Sequence, residues 1–131
     1  MVGKGFTLIE ILVVVAIIAI LSAIILVPIT EQIKRAKDAN FKTMVSSIEP
    51  SLRMCCDTAT GQIQNTPGGD ICAPLLLKAF YPDTTVLSDI TIIQNCIDGN
   101  FDIIFKPGLK NTGNCQQARC SQSGCVYTGC L

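Results

Sequence analysis

The chain has 131 residues, a formal net charge of zero, and neither histidine nor tryptophan. That length suffices for one small domain and not comfortably for two. The charge balance gives no basic excess pointing to nucleic acid, and the lack of histidine removes the commonest general base and transition-metal ligand.

The N-terminal stretch is the least ordinary part. From residue 8 to residue 27, 18 of 20 positions are apolar, the exceptions being Glu10 and Ser22. As a helix this run spans about 30 Å, the thickness of a bilayer's hydrocarbon core. A secretory signal peptide has a shorter apolar stretch and a small-residue cleavage site after it. Here Val27-Pro28-Ile29-Thr30 makes a poor cleavage site. A plain membrane anchor fits the length but leaves Glu10 unexplained, because an intramembrane acid costs about 3 kcal/mol on insertion scales.

Gly5-Phe6-Thr7-Leu8-Ile9-Glu10 follows a short leader carrying Lys4 and precedes the apolar run. This arrangement resembles the class III signal of type IV pilins and type II secretion pseudopilins. The resemblance implies a leader of residues 1–5, removed on the cytoplasmic side by a prepilin peptidase that cuts between Gly5 and Phe6. It implies N-methylation of Phe6 and a membrane-spanning, later filament-core, helix over residues 6–29. Cutting creates an ammonium at Phe6 that opposes the helix macrodipole, whereas a carboxylate in the first turn suits it. Glu10 can pair with that ammonium in its own chain, four positions away on the same face. The family pairs it with a neighbouring subunit during assembly, which would favour one register in a low-dielectric bundle. Two departures stand out. Ala19 occupies a position where the family often has glycine, and Pro28 falls one residue later than the usual proline. Pro28 lacks an N–H and is expected to kink the helix; whether the helix opens between Ala19 and Pro28 is left open.

Beyond Pro28 the pattern turns amphipathic. Ile29, Ile33, Ala36, Met44, Val45, Ile48 and Leu52 form a stripe, with Glu31, Lys34, Arg35, Lys37, Asp38 and Lys42 at the other positions. Residues 30–54 are therefore expected to continue the helix, with the stripe as core, the charges as a solvated face and Pro50 as a bend near the end. Residues 57–70 read as a polar connection. Asp70 is placed to cap a short helix through residues 71–80, with Pro74 in its first turn. Residues 85–97 and 100–105 flank Asp98-Gly99, a hairpin signal. A third strand is expected around residues 124–131. The head, residues 55–131, thus reads as a small antiparallel sheet on the helix's C-terminal half. The fold class is α+β, the pilin architecture that the resemblance implies.

All eight cysteines lie beyond the apolar run: Cys55, Cys56, Cys72, Cys96, Cys115, Cys120, Cys125 and Cys130. An even, dense set there points to disulfides in an oxidising compartment, with the head outside the cytoplasm. The last four repeat every five residues, which invites a metal reading. A step of five reverses face along a strand and turns about 140° around a helix, and zinc ligands come in tighter pairs. Disulfides are the favoured reading, each bridge contributing about 2–4 kcal/mol. The pairing stays open, although adjacent Cys55 and Cys56 are expected to bond different partners and tie the helix end to the head. The stretch from Asp98 to Asp102 looks like the start of a calcium loop, but Ile103 and Leu109 stand at its sixth and twelfth positions. A β-turn is the better reading.

No nucleophile–base pair or phosphate loop occurs, so no enzyme activity, metal or cofactor is expected. The resemblance implies a structural subunit that waits in the cytoplasmic membrane and then enters an extracellular or periplasmic filament, a type IV pilus or secretion pseudopilus. Its partners would be identical or related pilins, a prepilin peptidase, and an assembly ATPase with its membrane platform. The alternative is a membrane-anchored extracytoplasmic binding or adhesion module with a cysteine-rich head.

Overall fold

A computed structural model describes residues 5–74 and 78–131, with the side chains of residues 26–28 excepted. One helix, α1 (Leu8–Asp57), occupies the first part. Two strand pairings follow, β1 (Gln62–Ile63) with β2 (Cys72–Ala73), and a four-stranded sheet. The sheet runs β3 (Leu87–Ile97), β4 (Asn100–Pro107), β5 (Gln117–Ser121), β6 (Gly124–Thr128), each strand antiparallel to its neighbour. The architecture is α+β, as expected. The chain divides into two compact units, Met1–Ile33 and Lys34–Leu131.

In the first unit every described side chain from Gly5 to Ile25 is exposed. Leu12, Ile18 and Ile24 are 60%, 56% and 67% exposed. A helix apolar on all faces is stable only when lipid or other helices cover it. This one is long and apolar enough to cross a membrane. Ser22 donates its hydroxyl to the Ile18 carbonyl at 2.7 Å, so its polar group is satisfied within the helix. The helix runs unbroken past Ala19 and Pro28, and the Pro28 side chain lies outside the described residues. The helix also continues past exposed Pro50 to Asp57, three residues beyond the expected end.

In the second unit, Phe41, Val45, Ile48, Leu52, Cys55 and Cys56 are buried. Their steps of three and four keep them on one face of α1. The expected stripe is shorter than its sequence pattern. Ile29 and Ile33 are 39% and 49% exposed, Ala36 is exposed, and Phe41 takes the place that the stripe had left empty. Asp38 is the larger correction. The charge pattern puts it on the solvated face, yet it is fully buried. Its Oδ1 accepts from the backbone N–H groups of Asn114 (2.7 Å) and Cys115 (2.9 Å), and its Oδ2 from that of Leu131 (3.3 Å). Burial disfavours the carboxylate, but those donors outweigh it and hold the group below the ordinary aspartate value of 3.8.

A depressed folded value means that the stabilisation is present above the unfolded value and is lost as pH falls through the folded one. Hydrogen bonds to a charged acceptor contribute about 1.5–3 kcal/mol. Acid titration of head stability is therefore expected to show a step below pH 3.8. The step should be smaller in Asp38→Asn when unfolding is followed by circular dichroism, with Asp102 still contributing to it.

The core face of the sheet comes from Leu87 and Ile90 of β3, Phe101, Ile103 and Phe105 of β4, and Ala118 and Cys120 of β5, which share one buried cluster with α1. Tyr81 packs on Phe105 with ring centroids 6.1 Å apart. The β3–β4 hairpin turns at Asp98 and Gly99, both with positive φ (53° and 75°), as a two-residue turn of this kind requires. On the outer face Arg119 donates to Asp102, with Nε 2.8 Å from Oδ1, and Lys106 lies 3.1 Å from Asp89. The Arg119 hydrogen bond holds Asp102 below the usual carboxylate range. Strand β1 is tied to β3 by the Asn95 amide, which accepts from the Ile63 N–H (2.8 Å) and donates to its carbonyl (2.9 Å).

The short helix expected through residues 71–80 is not formed where the chain is described; residues 75–77 lie outside the described residues. Cys72 and Ala73 pair with β1, and Asp70 bridges to Phe80 instead of capping a helix. The backbone finds its partners across the loop. Ile71 N–H donates to the Ala79 carbonyl (2.9 Å) and Tyr81 N–H to that of Gly69 (2.8 Å). Those bonds replace the helical ones.

Candidate functional site

The residues singled out at the N terminus lie in the first turn of α1 and just before it. Gly5 and Phe6 are non-helical and exposed, Phe6 by 83%, and nothing lies within 4 Å of where a Cβ on Gly5 would be. Thr7 stands at the N-cap, and Leu8, Ile9 and Glu10 open the helix. Glu10 turns back on Thr7. Its Oε2 accepts from the Thr7 backbone N–H at 2.8 Å and from the Thr7 hydroxyl at 2.8 Å. This is the glutamate half of a Thr-x-x-Glu capping box, which satisfies a donor that the helix leaves orphaned.

Residues 3–26 match a family model described as the prokaryotic N-terminal methylation motif. This segment is the class III signal of type IV pilins and pseudopilins. The chain as a whole matches no curated protein and no solved structure.

The motif thus spans the Gly5–Phe6 bond, Glu10 and most of the apolar run. It supports a type IV pilin-like precursor at this N terminus. Beside the macrodipole and the ammonium that the resemblance implies, the Thr-x-x-Glu spacing gives Glu10 a third partner, the Thr7 N–H and hydroxyl. In the uncut chain the Phe6 nitrogen is an amide, so the Thr7 cap is the arrangement that precedes any such ammonium.

The eight cysteines form four bridges, Cys55–Cys72, Cys56–Cys96, Cys115–Cys130 and Cys120–Cys125. Adjacent Cys55 and Cys56 do bond different partners, and both tie the end of α1 to the head. Cys55 reaches β2 and Cys56 reaches β3. Cys120 and Cys125 face each other across the β5–β6 pair. Every sulfur in the five-residue series is consumed by a bridge, so the series offers no thiolate to a metal.

Proposed function

We propose that this protein is a structural pilin-like subunit, cut between Gly5 and Phe6, methylated on Phe6 and polymerised through residues 6–29 into a type IV pilus or secretion pseudopilus. The methylation motif carries this reading. Two features of the chain agree with it. The Gly5–Phe6 bond sits in exposed, non-helical chain, as a peptidase needs. The apolar helix that follows is uncovered on every side, so it needs lipid before assembly and sister helices afterwards. The head, held by four disulfides, belongs on the oxidising side of the membrane. Its partners are identical or related pilins, a prepilin peptidase, and an assembly ATPase with its platform.

Intact-mass and N-terminal analysis of the protein purified from the membrane and from sheared filaments tests the reading. The expected species begins at N-methyl-Phe6. A chain that keeps Met1 or Val2 at its terminus and never enters a filament would identify a membrane-anchored binding module instead.

A further inference from the structure

Segment 113–131 returns to α1 at one buried carboxylate. Gly113 lies so close to the helix that a Cβ there would come within 2.2 Å of Asp38 Oδ1 and 2.6 Å of the Lys34 carbonyl oxygen. The three N–H donors on Asp38 belong to Asn114, Cys115 and Leu131. Two of them stand at one end of the Cys115–Cys130 bridge and the third directly follows its other end. The neighbouring contacts converge on the same place. Lys42 Nζ donates to the Leu131 oxygen (3.2 Å), and Tyr127 Oη donates to the Lys42 carbonyl (3.2 Å) while lying 3.1 Å from Ser46 Oγ.

We propose that Asp38 is an oxidation-dependent latch: it closes segment 113–131 onto α1 only after Cys115 and Cys130 have joined. Closure forms one S–S bond from two thiols. The two electrons and two protons pass to a disulfide donor, which leaves as a dithiol. The bridge spans a separation of 15 residues. Removing that loop's freedom from the open chain favours closure about a hundredfold. With the bridge open, the Leu131 donor leaves easily, and a buried carboxylate short of a donor pays the desolvation cost of its charge. Cys115 shares the core with Phe41 and Val45, and β5 stays paired with β4. An unlatched segment therefore uncovers apolar helix surface, and a reduced head differs from an oxidised one in shape as well as in stability.

A double-mutant cycle on the full chain tests it, with hydrogen exchange at the Asn114 and Leu131 amides as readout. In the bridged protein, Asp38→Asn is expected to speed that exchange about tenfold or more, because hydrogen bonds to a charged acceptor are lost. With Cys115→Ser and Cys130→Ser already present, the same amides should exchange rapidly, and Asp38→Asn should add less than about threefold. An equal effect of Asp38→Asn in both backgrounds would overturn the proposal. If the serine variant does not accumulate, the unaltered protein is treated with a graded dithiol. Alkylation and mass spectrometry then report the bridge, and exchange reports the two amides. Protection that is lost as Cys115–Cys130 opens supports the latch, and protection that survives the opening refutes it.

Discussion

Glu10→Val is expected to abolish filaments while leaving leader removal and membrane insertion intact. On the proposed function, the cut frees a Phe6 ammonium that must enter a bundle of apolar helices. Removing one partner of a buried charge pair costs about 3–5 kcal/mol, because the remaining charge is left uncompensated. At 1.4 kcal/mol per tenfold, that weakens each subunit addition by at least about a hundredfold, enough to stop polymerisation at ordinary subunit levels. A second substitution separates the proposed charge pairing from the observed cap on Thr7. Glu10→Gln keeps an acceptor for the Thr7 N–H, 2.8 Å away in the native chain, but carries no charge. If the charge matters, both variants fail alike. If only the helix cap matters, a matter of about 1 kcal/mol, Glu10→Gln assembles normally and Glu10→Val loses only about fivefold. The measurement is the ratio of sheared filament to cleaved membrane-bound subunit, and normal filaments from Glu10→Val would refute the pairing role.

The second large effect concerns the bridges, which differ in the chain length they close. The separations are 17, 40, 15 and 5 residues. Loop entropy ranks Cys56–Cys96 first, with about 4 kcal/mol lost when it is removed. Packing adds to the cost. Cys56 is buried at the end of α1, and Cys96 sits on β3 beside Asn95, whose amide holds β1. Replacing both cysteines by alanine is expected to lower the denaturant midpoint of the head far more than replacing Cys120 and Cys125. Those two already face each other in the β5–β6 register, and their five-residue loop constrains little of the unfolded chain. Equal losses from the two pairs would show that native packing, and not loop length, sets the contribution of each bridge.

Much of the fold was legible because its signals are local. The β3–β4 hairpin is announced by Asp98-Gly99, since few residue pairs accept two consecutive positive φ values. Strand β5 had no such signal. Its inward residues are Ala118 and Cys120 and its outward ones polar, so the stretch shows little hydrophobic alternation. Segment 71–80 misled in the opposite way. An apolar run after Asp70 and ahead of Phe80 suits a helix or a buried extended chain equally. The Cys55–Cys72 bridge and the pairing with β1, both made with distant residues, go with the extended form.

The sequence by itself determined the N terminus. The signal from Gly5 to Glu10, the apolar run and the Thr-x-x-Glu cap act between residues a few positions apart, so spacing alone specifies them. It also determined that the cysteines would pair, because their number and placement leave little else for them to do. Only the tertiary structure decided which cysteines pair, where the helix stripe becomes core, and that Asp38 is buried. In sequence Asp38 is one charge among several on a polar face. Its partners at Asn114, Cys115 and Leu131 lie more than seventy residues away, and a carboxylate's environment is set by the donors that the fold brings to it.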